Sequence, residues 1–272
     1  MDLQKLTDIA IEAALAAGKV IQKYMNDDVT ILEKKVGDSL ASQVLTEVDL
    51  KSEATVLSYL LPTCKTYDLG LLTEEQEDDK SRFAKEFFWC IDPIDGTLAF
   101  IKKQAGFSVS IALISKEGIP QIGVVFDPTT NNLYHAIKDK GAFKNGKPWQ
   151  FNEPNNYLTY TIEKDLSDLP EKERFIAVLN REKEKLKLNE LKEHFGSGSV
   201  LNAIKVAENK PAIMFKFPKK EKGGGCIWDY ASTVCIFNEL GLKARDFYGN
   251  PLDLNSSKTP HMNEKGIFFS NA

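Results

Sequence analysis

Asp92-Pro93-Ile94-Asp95-Gly96-Thr97 sets two carboxylates, a stiff proline and a permissive glycine directly after the apolar run 87–91. Carboxylates held on a stiff turn at a strand end are the oxygen ligands that a hard cation such as Mg2+ takes. Gly96 would let backbone N–H groups approach an anion, and Thr97 could open a short helix whose N-terminus favours phosphate. The same hexapeptide also fits an Asp-Gly turn with capping carboxylates. Three more acidic positions carry a similar double meaning. Glu74, in Leu72-Thr73-Glu74-Glu75, ends another apparent strand, yet Glu77, Asp78 and Asp79 follow it as in a solvated acidic connector. Asp229, in Ile227-Trp228-Asp229-Tyr230, falls in the first turn of a late helix, where the helix dipole alone favours an acid. Asp49 stands three residues after Thr46, the spacing of a capping box. Each of these carboxylates lies at the edge of a regular element. If they converge, they repel and raise one another's pKa unless a cation joins them.

The rest of the chain narrows the chemistry. Its 272 residues, 42% hydrophobic and 27% charged, suffice for one large layered domain or two modest ones sharing an interface. A formal net charge of -4 is too mild for a protein that grips a nucleic-acid polymer through many phosphates. It also draws anions poorly, so an anionic substrate needs local positive charge of the kind a bound metal supplies. Cys64, Cys90, Cys226 and Cys235 form no C-x-x-C pair, and His135, His194 and His261 fall in no hydrolase motif. Residues 1–26 show no signal-peptide pattern and no apolar run reaches spanning length, so a reduced, cytoplasmic protein without membrane contact is expected. No Walker A motif occurs. Gly196-Ser197-Gly198-Ser199 lacks the third glycine of a dinucleotide fingerprint, Leu201 standing in its place, and is expected to follow a helix instead of a strand.

The elements that would position these groups follow from periodicity. Leu6, Ile9, Ala13, Ala17, Val20, Ile21 and Tyr24 mark an amphipathic first helix. A strand over 29–35 and a polar loop over 37–42 come next, then a helix from Thr46 to Leu61 stopped by Pro62. Strands at 67–72 and 87–91 flank the acidic connector 74–85, and runs at 107–115, 121–126 and 132–137 read as an antiparallel meander. The second half reads as a strand at 174–179, a charged helix at 182–195, a helix ending near Asn209, a strand at 212–217, a helix at 228–240 closed by Gly241, and a strand at 242–247. Strands alternating with helices suggest a mixed sheet there. The segment 152–157 is a plausible boundary, giving a metal-binding half over 1–151 and an α/β half over 152–272 that completes the site.

Taken in order, Asp49, Glu74-Glu75, Asp92–Thr97, Trp228-Asp229 and the late turn Gly249-Asn250-Pro251-Leu252 resemble the inositol monophosphatase superfamily of lithium-sensitive, magnesium-dependent phosphatases. The resemblance covers nearly the whole chain. It implies an α+β to α/β fold, a layered αβαβα sandwich with an antiparallel sheet in the first half and a smaller mixed sheet in the second. It implies Mg2+ as cofactor: one ion on Glu74, Asp92 and the Ile94 carbonyl, a second on Asp92, Asp95 and Asp229, and room for a weaker third near Glu74. Asp49 and Thr97 would orient and deprotonate the attacking water, with Glu74 also in the catalytic set. Gly96 and Thr97 would grip the phosphate, and Asp95, Gly198, Ser199 and Asp229 would face the substrate. The implied partner is a small phosphate ester, and the protein a monomer or homodimer.

Within that superfamily Phe100-Ile101-Lys102 and the run 107–114 look most like the bisphosphate nucleotidases, which hydrolyse adenosine 3′,5′-bisphosphate to AMP. Inositol monophosphate or another sugar phosphate is the alternative, and a catalytically silent metal- or nucleotide-binding relative is the non-enzymatic one. Asn202, where many of those nucleotidases carry a lysine, and the long segment 216–225 depart from the nucleotidase pattern. Lys219, Lys220 and Lys222 read either as a contact for a second phosphate or, more simply, as a solvated loop.

Overall fold

The computed structural model describes residues 1–33 and 44–272. Helix α1 (Leu3–Tyr24) starts where the Asp2 carboxylate accepts from the Gln4 and Lys5 amides, satisfying donors that a helix start leaves orphaned. Strand β1 is described over Ile31–Glu33 and pairs antiparallel with β2 (Val44–Thr46); the end of the strand expected over 29–35 and the loop expected at 37–42 lie outside the described residues. Helix α2 (Glu47–Tyr67) opens on the Thr46–Asp49 capping box. Pro62 does not stop it. The turn beyond the proline is held from outside, because Thr63 Oγ1 bonds the Leu60 carbonyl at 2.6 Å and accepts from Trp89 Nε1 at 2.8 Å. Tertiary contact thus outweighs the one backbone bond that a proline deletes.

The first sheet runs in the order β3 (Gly70–Thr73), β4 (Phe87–Asp95), β5 (Ser108–Ser115), β6 (Pro120–Asp127), β7 (Asn132–Ile137), β8 (Gly141–Lys144), β9 (Lys147–Pro148). Every pairing is antiparallel except β3 with β4. Short helices α3 (Ser81–Ala84) and α4 (Thr97–Ile101) bracket β4. The second sheet has the order β11 (Glu190–Phe195), β10 (Tyr157–Ile162), β12 (Ala212–Lys216), β14 (Ile267–Asn271), β13 (Lys243–Arg245), with β10 parallel to both neighbours and β14 antiparallel to both of its own. Helices α5 (Lys172–Lys185), α6 (Ser199–Glu208) and α7 (Ile227–Glu239) complete this half.

Alternation along β4 divides the core into layers. Trp89 and Ile91 pack with Ile111, Leu113 and Val124 beneath α1 and α2. Phe88 and Cys90 face the other way, onto Ala203 and Val206 of α6, Tyr230 and Ala231 of α7, and Met214 and Phe269 of the second sheet. The far side of that sheet, through Leu158, Ile213 and Phe215, buries Phe175, Val178 and Leu179 of α5. The stacking is αβαβα. Helix α7 comes close to β6, where a Cβ at Gly123 would lie 2.2 Å from the Ser232 carbonyl oxygen.

The second half departs from expectation in several places. Residues 174–179 are helix, not strand: Phe175, Val178 and Leu179 sit on one buried face, and the helical spacing is hidden inside a nearly continuous apolar run. Residues 182–195 are not one helix but the end of α5 followed by β11. That edge strand carries Glu190, Lys192, Glu193 and His194 outward, so its charge pattern mimics a solvated helix. Strands β10 and β14 were not anticipated.

Candidate metal centre

Asp92 and Asp95 are three apart on β4, a spacing that on a regular strand points side chains to opposite faces. A bulge resolves this. Asp92 pairs with Ser110 and Asp95 with Ser108, so three residue steps on β4 oppose two on β5. The extra residue re-aims the strand end and brings both carboxylates to one side. Helix α2 fixes the bulge from behind, Ser52 Oγ donating to the Pro93 carbonyl at 2.8 Å.

Asp229, in the first turn of α7, brings its carboxylate to the same place. Oxygens of Asp92, Asp95 and Asp229 all lie within 4.8 Å of one another. Each is tied to the backbone. Asp92 Oδ1 accepts from the Ile94 amide at 3.0 Å. The Asp95 oxygens accept from the Ser199 amide at 3.0 Å and the Val200 amide at 2.9 Å, at the N-terminus of α6. Asp229 accepts from the Cys226 amide. Asp92 is fully buried, and its Oδ2 has no hydrogen-bond partner. Burial, then the charges of Glu74, Asp95 and Asp229, push Asp92 well above the usual carboxylate range. Burial and Asp229 do the same to Asp95, and burial with Glu74 raises Asp229 to about 7. An orphaned, buried carboxylate oxygen among mutually destabilised acids fits a divalent cation with oxygen ligands.

The other expected residues fall around this cluster. Glu74 follows β3 and lines the same cleft, its amide donating to the Ile91 carbonyl at 3.2 Å. The Ile94 carbonyl oxygen lies 3.0 Å from Thr97 Oγ1. Thr97 Oγ1 also lies 3.1 Å from Asp49 Oδ1, while Asp49 Oδ2 accepts from the Thr46 amide at 2.8 Å and hydroxyl at 2.5 Å. Asp49 is therefore both helix cap and partner of Thr97, and it stands behind Thr97 instead of lining the cleft. Gly96 takes a φ of +87°, and a Cβ there would meet the Gly106 oxygen at 2.6 Å. A Cβ at Gly198 would meet Asp95 Oδ2 at 2.2 Å, so this glycine is what lets the α6 terminus close on Asp95.

The cleft encloses about 840 Å3. Of the two readings of the lysine loop, the exposure of Lys219, Lys220 and Lys222 matches the simpler, solvated one, and from their loop Gly223, Gly224 and Gly225 line the wall. The Gly196–Ser199 turn follows strand β11, contrary to expectation, so its context matches a dinucleotide site better than its sequence does. The helix terminus it opens is nevertheless taken by the Asp95 carboxylate. Asn202, buried, donates to the Ser197 carbonyl at 2.9 Å and braces that turn. Glu163, just after β10, and Lys216, at the end of β12, also line the cleft and were not among the residues expected there. A charge closing each apolar strand was the available signal.

The sequence matches the model of the Inositol monophosphatase family over residues 2–267. It is 28% identical over 264 residues to inositol monophosphatase 2 of Solanum lycopersicum, covering 96% of this chain and 94% of that one. It is 36% identical over 149 residues to an inositol-1-monophosphatase of Synechocystis sp., covering 55% of this chain and 49% of that one, so this match spans about half the relative's length. Among solved structures, the inositol monophosphatase of Anabaena (Nostoc) sp. PCC 7120 superposes with a TM-score of 0.70 at 24% identity, over 100% of this chain and 92% of that one. The fold and acidic cluster define the class of metal-dependent phosphoric monoester hydrolases, and the chain belongs to the inositol monophosphatase family. The expected leaning toward bisphosphate nucleotidases is corrected here, since these relatives carry the name inositol monophosphatase. Among the described residues no helix is long and apolar enough to cross a membrane.

Proposed function

We propose that the protein hydrolyses the phosphate monoester of a small polyol, inositol monophosphate ahead of adenosine 3′,5′-bisphosphate, with Mg2+ held by Glu74, Asp92, the Ile94 carbonyl, Asp95 and Asp229. The observation that carries this reading is the convergence of Asp92, Asp95 and Asp229 within 4.8 Å, with Asp92 Oδ2 buried and unpartnered. Bound Mg2+ would supply a water of lowered pKa and charge to neutralise phosphate oxygens.

The chain's own residues then have distinct tasks. Asp92 can serve two ions, because only one of its oxygens is bonded internally. The Thr97 hydroxyl, donating toward Asp49 Oδ1, offers its lone pairs to a water in the cleft and can take that water's proton as its own passes to Asp49. Thr46 keeps Asp49 in register for this step through its amide and hydroxyl. The Gly96 and Thr97 amides, at the start of α4, would hold the phosphate. Residues 1–151 would supply most of the metal ligands, and 152–272 would add Asp229 and the α6 terminus that fixes Asp95.

Phosphate release from inositol 1-phosphate, adenosine 3′,5′-bisphosphate and 4-nitrophenyl phosphate, with and without Mg2+ and with added Li+, tests this reading. Release that requires Mg2+, falls with Li+ and is faster from inositol 1-phosphate than from the bisphosphate is expected. No release from any of the three would favour a binding role and overturn the proposal.

A further inference from the structure

Arg82 is 1% exposed, the most deeply buried lysine or arginine among the described residues. Its guanidinium reaches three partners, and all three lie in loops. Nε donates to Asp78 Oδ2 at 2.9 Å, Nη1 to Asn255 Oδ1 at 2.6 Å and Nη2 to the Ser256 carbonyl at 3.1 Å. The Arg82 carbonyl accepts in turn from Asn255 Nδ2 at 3.4 Å, and the same amide group donates to the Lys116 carbonyl at 2.8 Å. Helix α3, from which the arginine projects, is fixed on β3. A Cβ at Gly70 would meet the Arg82 nitrogen at 2.8 Å, and Ser81 Oγ accepts from the Leu71 amide at 3.0 Å. The fork therefore has a firm base.

Its partners belong to two walls of the cleft. Asp78 stands on the acidic connector that begins at Glu74, and both line the cleft. On the other wall, residues 260–262, just past Ser256, zip onto 225–227. The Ile227 amide donates to the Pro260 carbonyl and the Met262 amide to the Gly225 carbonyl, each at 2.9 Å, with Cys226 and His261 paired antiparallel between them. Asp229 leaves that same turn at the start of α7. Arg82 thus spans from the segment that carries Glu74 to the segment pinned against the Asp229 turn. These two acids push apart: after burial, Glu74 is the foremost influence raising Asp229. Asp78 does not depend on the guanidinium, since the Lys80 amide at 3.0 Å and ammonium at 2.9 Å also reach it. Burying a guanidinium is costly, and here it completes no helix or strand. What it completes is a bridge between walls.

Resting on the metal-dependent phosphatase reading above, we propose that Arg82 is a positioning residue for the metal centre, a brace that sets the separation of Glu74 from Asp229 before any ion arrives. An ion that enters a braced pair need not gather its ligands against their repulsion, so the brace appears as metal affinity. The planar fork is what the task requires. A lysine at this position could meet Asp78, but it could not hold Asn255 and Ser256 at the same time.

Arg82→Lys in the full chain tests this, because it keeps the charge and removes the fork. The readout is Mn2+ affinity, from the electron paramagnetic resonance signal of the free ion, at a temperature where circular dichroism shows variant and wild type both folded. The Mn2+ Kd is expected to rise about tenfold or more, the scale of losing an outer support of a metal ligand. Turnover of 4-nitrophenyl phosphate should then need correspondingly more Mg2+ to reach half its maximum, with a smaller change in kcat once the ion saturates. A merely structural arginine would lower Tm and leave the Kd alone, so a Kd within twofold of wild type overturns the proposal whatever the Tm. Should that variant fail to fold, Asn255→Ala reads the same brace from its other end: a rise of about threefold or more is expected, and an unchanged Kd overturns it. Wild-type protein that binds Mn2+ yet releases no phosphate sinks the phosphatase reading alone, whereas wild-type protein that binds no Mn2+ overturns both.

Discussion

Glu208 and Asp92 are both carboxylates drawn out of water, and their neighbourhoods are opposite. Around Glu208, at the end of α6, stand Tyr134 Oη at 3.0 Å, Lys144 Nζ at 2.6 Å and Lys205 Nζ at 3.5 Å. Burial works against its ionisation, but the lysines and the phenol hold it below the usual carboxylate range. Around Asp92 stand Glu74, Asp95 and Asp229, and the carboxyl is driven up. Lys216 offsets part of the charge on Asp95 and Asp229, yet both remain raised. A carboxylate neutralised by the chain's own cations is part of the scaffold. A cluster that the chain leaves in deficit has a place for a cation from outside.

Paired substitutions should break that contrast in opposite directions. Asp92→Asn keeps the acceptor for the Ile94 amide but removes the charge and a metal ligand. Turnover is expected to fall roughly a thousandfold, about 4 kcal/mol of barrier, with no loss of Tm in metal-free protein. Glu208→Gln is expected to keep turnover and lose about 1–2 kcal/mol in denaturant melts, the worth of hydrogen bonds to charged partners. Equal stability losses in the two variants would erase the distinction.

A smaller effect sharpens it. Asp92, Asp95 and Asp229 have folded-state pKa values above their unfolded ones, so the folded protein binds more protons. Their contribution favours folding most below the unfolded carboxylate pKa, and it is lost as pH rises through the folded values, about 7 for Asp229. Protons compete with the metal for these oxygens. The rise in Tm on adding Mg2+ to EDTA-treated protein should therefore grow between pH 5 and pH 8. A rise independent of pH would place the ion elsewhere.

Features legible in the sequence were the local ones. Asp92–Thr97 carries its turn, its ligands and its strand within six residues, and the bulge that unites the two acids needs only that spacing. The capping box at Thr46 and the helix opening before Asp229 were equally local, and the order of the acidic motifs led to the five-layer fold. What stayed hidden depends on neighbours remote in the chain. Pro62 passes through a helix because Trp89 holds the next turn. Strand β11 is a strand because β10 lies beside it. Glu163 and Lys216, 53 residues apart, meet only because β10 and β12 are parallel partners, and no periodicity in either segment announces that.

The most direct test is Mn2+ soaked into crystals of the full chain, located by anomalous scattering. The account requires a peak bounded by the carboxylates of Asp92, Asp95 and Asp229. Those three side chains resolved at saturating Mn2+ with no shared peak between them would contradict it.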